Sequence, residues 1–396
     1  MSQNSRISQL VQLLRFDSDL SSQASVRPDV WDDLAITAIA LGLAPLLHAH
    51  TGALDIPAAA RAKLAVTYQA TERRNQAIAG QLGELLAAMQ AAGIEAMVLK
   101  GGYLAFQVYP DPALRGMSDL DLLFRPDDLP GAESVLRSLG YEGKHKSADE
   151  GPGIVKHTST YKRSGVDAAS STPNPYLSTV GDRHVDPHGS LEESWFGLRV
   201  DVTPGVWQRS RPVRLVDQPA RAMADEDMLL HLSVHLVFHL LMSKPSLVQL
   251  YDIALVSQTL PVDWQVLIRR ASGCGATSFL YAALHLAASV YGAPIPGETL
   301  ESLHGACPSS QARRIQRMEL ADVVQQTQRP PLVTIRQRLA RGVSDRREAA
   351  RWAPDLAGKW AVWRTAIDIG RTDTGKLLAD RLRSATPFDR SNAEGL

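Results

Sequence analysis

Between Val98 and Arg125 the chain reads VLKGGYLAFQVYPDPALRGMSDLDLLFR, an order of residues that few local folds accommodate. The apolar run Ala96-Met97-Val98-Leu99 predicts a buried strand that stops at Lys100-Gly101-Gly102. Only small residues there let backbone N–H groups approach a phosphate. Tyr103 to Tyr109 is long enough for two helical turns before Pro110 and Pro112 end them. The loop Arg115-Gly116-Met117-Ser118 leads into a second strand, Asp119-Leu120-Asp121-Leu122-Leu123-Phe124.

Side chains alternate faces along a strand, so Asp119 and Asp121 point one way while Leu120 and Leu122 point into a core. Adjacent carboxylates repel, and a buried pair is costly without a cation. One or two Mg2+ ions remove that cost, because Mg2+ is held by one or two carboxylates plus substrate phosphates. A lone D-x-D is as well explained by an exposed ion-pair partner at a strand end. Joined to a Gly-Gly turn, Lys100 and Arg115, it predicts a metal–nucleotide site.

A glycine turn followed by Ser-Asp-hydrophobic-Asp resembles the signature of the polymerase beta-like nucleotidyltransferase superfamily. The chain is more closely similar to a bacterial family of uncharacterised nucleotidyltransferases, whose pattern is LKG, Tyr-Pro, Arg, D-hydrophobic-D and a later V-D-x-H. Here these are Leu99-Lys100-Gly101, Tyr109-Pro110, Arg115, Asp119-Leu120-Asp121 and Val185-Asp186-Pro187-His188. An Arg-Asn pair on a helix before the LKG strand (Arg74-Asn75) and a histidine-bearing helix followed by Asp252-Ile253-Ala254 belong to the same likeness. The stretch from Gly102 to Asp119 is longer than the superfamily's minimal spacing and suits the narrower family.

The resemblance implies an α/β (α+β) fold, a mixed-sheet nucleotidyltransferase core flanked by N-terminal helices and a C-terminal helical bundle. It implies Mg2+-dependent transfer of a nucleoside monophosphate from an NTP, ATP foremost, to a small-molecule or peptide acceptor. Relatives occur among biosynthetic genes for modified natural products. Protein nucleotidylation of the toxin–antitoxin type, or a catalytically inactive nucleotide- or peptide-binding scaffold, are the alternatives. By the same likeness Asp119 and Asp121 hold metal, Gly101 and Gly102 offer backbone N–H groups, Lys100 and Arg115 steady the phosphates, and Ser118 donates a hydrogen bond. Asp186 is then the third metal-binding and catalytic carboxylate, with Asp201 on another strand-like segment as its competitor, and His188 contacts substrate.

Residues 1–92 read as helical, 93–215 as the catalytic core and 216–396 as a second helical region. Ser164 to Asp182 is rich in Ser, Thr, Pro, Asn and Gly, which fits either a lid or a plain insertion. Met228 to Met242 carries His231, His235 and His239 at successive i, i+4 positions, on one helix face. No glutamate of an HExxH motif accompanies them, which argues against zinc. His231 and His235 either pack among neighbours or face the cleft and contact phosphate or acceptor. Arg336, Arg338, Arg341, Arg346, Arg347 and Arg351 form a basic stretch, read as a solvated amphipathic helix or as a contact for a polyanion.

Lys+Arg and Asp+Glu balance at 42 each, so no global field recruits nucleic acid or an anionic membrane. The two cysteines, Cys274 and Cys307, form no C-x-x-C pair. The N-terminus lacks a signal-peptide layout, and the longest apolar run, Leu34 to Leu47, is broken by Pro45. These features predict a cytoplasmic protein.

Overall fold

A computed structural model describes residues 2–17, 26–52, 54–145, 159–164, 183–244, 247–326 and 335–367. Of the predicted Ser164–Asp182 loop, all but Ser164 lies outside them.

Among the described residues the chain begins with helices α1 (Gln3–Leu13), α2 (Trp31–Ala40), α3 (Ala44–His50) and α4 (Ala58–Ala91). Thirty-four residues without an internal proline make α4 a rod about 51 Å long. Gly93, at φ +71°, turns the chain out of it in the left-handed region that glycine tolerates.

Strand β1 (Met97–Val98) runs straight into α5 (Lys100–Gln107). The sequence places this helix three residues later, with both glycines in a preceding turn. Instead Gly101 and Gly102 lie inside its first turn, and packing is the reason. A Cβ on Gly102 would stand 3.0 Å from Val98 and 3.2 Å from Leu120, and one on Gly101 3.2 Å from Met117. The turn itself falls on Lys100, at φ +44°. A non-glycine residue held there stores strain, a frequent property of functional sites.

Next come β2 (Leu120–Leu123), α6 (Leu129–Ser138), β3 (Glu142–His145), β4 (Ser159–Arg163), β5 (Arg183–His188), β6 (Glu192–Trp195), β7 (Leu198–Asp201), α7 (Val206–Arg209), β8 (Arg211–Leu215) and β9 (Gln218–Ala222). Seven of these strands form one mixed sheet, in the order β3-β4-β5-β2-β1-β9-β8, and β6 and β7 form a separate ribbon. β2 lies antiparallel to β1 and parallel to β5, and the parallel register sets Asp121 beside Asp186. All four residues of β2 are buried, as a central strand requires. The α+β architecture expected from the sequence, a mixed sheet flanked by helices, is the one found.

Helices α8 (Asp225–Leu241), α9 (Leu247–Thr259), α10 (Trp264–Gly273), α11 (Thr277–Tyr291), α12 (Gly297–Ala306), α13 (Ser309–Ile315) and α14 (Leu320–Gln326) follow. α8 is apolar on nearly every side because α9, α10 and α11 surround it. The first segment returns to this group: Phe16 N–H donates to the Tyr291 carbonyl at 2.8 Å, and Arg15 donates to those of Ser289 and Val290.

The chain forms two compact units. The first comprises residues 1–145, 157–193 and 200–331, so the N-terminal helices, the sheet and the helices through α14 share it. The second comprises 146–156, 194–199 and 332–396. It contains α15 (Ile335–Trp352) and α16 (Leu356–Ile367). Within it the Arg346 guanidinium lies 4.7 Å over the Phe196 ring and donates to Thr365, so this arginine of the basic stretch faces a partner rather than water. Among the described residues no helix is long and apolar enough to cross a membrane.

Candidate active site

Asp121 is the centre of the site. Its side chain is buried on β2, and one oxygen, Oδ1, accepts from Lys100 Nζ at 3.1 Å and from His188 Nε2 at 2.7 Å. Lys100 reaches it because β1 and β2 are adjacent, and the Leu99 N–H just before it donates to the Asp121 carbonyl at 3.0 Å. His188 reaches it because β5 runs parallel to β2 and carries the histidine two residues beyond Asp186.

The neighbouring carboxylates behave oppositely. Burial alone would push the Asp121 carboxyl up, but the Lys100 ammonium and the His188 hydrogen bond outweigh it and hold the group well below the usual carboxylate range. Asp119 precedes β2, with Ser118 Oγ donating to it at 3.1 Å. Burial, then the charges of Asp121 and Asp186, push its carboxyl up, and Lys100 and Ser118 only partly offset them. Burial works against the Lys100 ammonium too, yet Asp121, Glu193 and Asp119 together raise its pKa. Negative charge therefore exceeds what one lysine neutralises.

That excess suits a hard cation. Among the described residues no cluster of three or more His, Cys, Asp or Glu side chains forms a ready-made metal cage. The donor set is oxygen-rich and incomplete, which fits Mg2+, an ion that leaves positions for water and phosphate oxygens. The first turn of α5 also opens here, with N–H groups that lack intrahelical acceptors.

A family model described as uncharacterised nucleotidyltransferase matches residues 27–292, two-thirds of the chain. The protein belongs to this nucleotidyltransferase family. No curated protein and no solved structure matches it. The chain is thus a transferase of the nucleotidyl class, and an NTP is the substrate that such an enzyme uses.

Of the residues singled out in the sequence of this nucleotidyltransferase, Lys100, Asp119, Asp121, Asp186 and His188 come together at the adjoining ends of β1, β2 and β5. Asp201 does not join them. It lies on the β6–β7 ribbon, and its Oδ1 accepts from the backbone N–H and hydroxyl of Thr203, closing a local turn.

Arg115 occupies a different place from the one expected at the phosphates. Its Nε and Nη2 donate to both oxygens of Asp252 on α9 at 2.8–3.0 Å, and Nη1 donates to the Gly116 carbonyl at 2.6 Å. Tyr109 donates to the same Asp252, which is 1% exposed. From the other side Asn75 on α4 donates to the carbonyls of Pro112 and Arg115 at 2.6 and 2.8 Å, and Tyr68 donates to Asp111. The segment 109–118 is thereby held between two helices, and Arg115 is a clasp.

His231 and His235 lie on the α8 face toward the site. His235 donates through Nδ1 to Glu193 Oε1 at 2.6 Å, and its charge also bears on Asp121. His231 stacks on His235 with ring centroids 6.0 Å apart, and among the described residues neither of its nitrogens has a hydrogen-bond partner although it is 3% exposed. Burial, with Lys100 and His235 nearby, pushes its pKa well below the ordinary value, so the ring is neutral. Sequence reasoning missed Glu193 altogether. It had the Asp252 segment and Asn75 as marks of likeness, without the clasp that they form.

Proposed function

We propose that this nucleotidyltransferase moves a nucleoside monophosphate from an NTP, ATP foremost, to a hydroxyl or phosphate of a small-molecule or peptide acceptor. The observation that carries the reading is the cluster of Lys100 and His188 on one oxygen of Asp121, with Asp119 and Asp186 beside it. In this reading 93–215 is the catalytic core, 1–92 and 216–396 are its helical flanks, and the enzyme acts in the cytoplasm in natural-product biosynthesis.

The acceptor oxygen attacks the α-phosphorus, the bond from that phosphorus to the pyrophosphate oxygen breaks, and the acceptor proton passes to Asp186. Asp119, Asp121 and Asp186 would hold Mg2+, which when bound neutralises phosphate charge and favours attack at phosphorus. Negative charge grows on the phosphoryl oxygens and the leaving group, so fixed donors there lower the barrier. Lys100 and the N–H groups of Gly101 and Gly102 are those donors. Ser118 holds Asp119 in place, Arg115 fixes the loop that carries both, and His188, His231 and His235 contact the substrates.

Calorimetric titration of ATP, GTP, CTP and UTP with Mg2+ into wild type and Asp119→Asn/Asp121→Asn tests this reading. Mg2+-dependent binding of one nucleotide, lost in the double variant, is the expected result. Binding that survives in the variant would move the site elsewhere.

A further inference from the structure

Helix α13, the turn after it and the start of α14 border an open cavity of about 420 Å3, lined by Ser310, Arg313, Arg314, Arg317, Met318 and Asp322. Its volume lies in the range of small-ligand pockets. Arg313, Arg314 and Arg317 line it within a stretch of five residues, and Arg313 and Arg317 are both exposed. Among the described residues no ion pair neutralises either of these two. The one acid in the lining, Asp322, has its Oδ2 on the backbone N–H of Glu319 at 2.9 Å, and Arg313 Nε donates only to the Ser309 carbonyl.

The scaffold beneath is fixed. Gln311, Ala312 and Ile315 are buried on the inner side of α13, and the Ser278 hydroxyl on α11 donates to Gln311. Arg313 and Arg314 are thus carried by a seated helix, and Arg317 by the turn that follows it. Guanidinium forks match phosphate oxygens bidentately, and several on one concave wall select a compact anion with more than one charge. The Ser310 hydroxyl adds a donor at the rim.

We propose that this cavity binds a small polyphosphate, of the size of pyrophosphate or a nucleoside diphosphate. The chain's balanced charge and the acid in the wall favour a compact anion over an extended nucleic acid. The site shares no residue with the Asp121 cluster, so it stands or falls independently of the proposed activity.

The test is calorimetric titration of the full chain with sodium pyrophosphate and with ADP, in EDTA. It is made on wild type, on Asp119→Asn/Asp121→Asn, and on that variant carrying Arg313→Gln/Arg317→Gln. The expected result is one site in the first two proteins, weakened at least about tenfold by the arginine changes. Arg313→Lys/Arg317→Lys keeps the charge and is expected to recover only part of the affinity, because the fork is lost. Equal affinity for both ligands would show that phosphate alone is read, and tighter ADP that the nucleoside adds contacts. Binding untouched by the arginine changes, or no binding of either ligand to wild type at millimolar concentration, would overturn the proposal. So would binding of a single-stranded oligonucleotide without binding of pyrophosphate. Arg313 and Arg317 are exposed, so unfolding midpoints are expected to stay within a degree or two of wild type.

Discussion

Arg115 and Asp252, 137 residues apart, form a buried bidentate ion pair that joins the loop entering β2 to helix α9. Removing one partner leaves the other charged without compensation, a loss of about 3–5 kcal/mol for a buried pair. Asp252→Ala and Arg115→Ala are each expected to lower unfolding free energy in urea by that order. Arg115→Met/Asp252→Leu, which removes both charges, is expected to recover much of it. If the double variant regains stability but binds Mg·NTP poorly, the pair positions the loop. A variant that regains both has lost only a stabilising contact.

Asp119→Asn and Asp121→Asn are the same chemical change two residues apart, and they are expected to move stability in opposite directions. The Asp119 carboxyl is raised, so its charge is unfavourable in the folded state at pH 7. Replacing it by an amide is neutral or stabilising, by about 1 kcal/mol. The Asp121 carboxyl is held down, so its charge adds stability above the usual carboxylate pKa, lost as pH falls through the depressed folded value. Asp121→Asn also strands Lys100 and is expected to destabilise by about 2–4 kcal/mol. Thermal and urea midpoints of both variants, beside Mg·NTP binding, decide this. Equal shifts would show that the two carboxylates share one environment.

The strand–helix–strand order of the core was legible because apolar runs and prolines bound it. The start of α5 was not, since the glycines mark close packing against Val98, Leu120 and Met117 rather than a loop. Asp119 and Asp121 stand out as a local pattern. That Asp186 and not Asp201 lies beside them is decided by strand register, which spans 65 residues and has no local signal. For the same reason Arg115 read as a phosphate ligand. An arginine's partner is a tertiary fact, and Asp252 and Glu193 become visible only once α9 and α8 are packed.

Two histidines of α8, His231 buried and His239 half-buried, set an acid limit on stability. His231 and His239 are both pushed well below the ordinary histidine value, chiefly by burial, and Gln249 Nε2 donates to His239 Nδ1 at 2.9 Å. Below pH about 6.5 the unfolded chain binds protons that the folded chain does not, so stability falls as pH falls. The slope is about 1.4 kcal/mol per pH unit for each histidine until its folded pKa is reached, and the contribution is complete above pH about 6.5. Urea unfolding at pH 7.0, 6.0 and 5.0 measures it, and His239→Gln is expected to reduce the slope by about half. A flat profile from pH 7 to 5 would place both rings in contact with water.

His231 gives the sharpest separation of folding from function. Its two ring nitrogens are buried without a partner among the described residues, and such a group costs about 1–3 kcal/mol. An apolar ring of similar size, in His231→Phe, removes that penalty and is expected to raise unfolding free energy by about 1–2 kcal/mol. The stacked partner His235 remains held by Glu193. A residue kept at such a cost beside Lys100 and Asp121 is expected to meet substrate, so the same variant should bind Mg·NTP about tenfold more weakly or lose turnover. Higher stability with weaker binding is the signature of a group reserved for a ligand. Lower stability with unchanged binding in both His231→Phe and His231→Leu would make His231 a packing residue of α8.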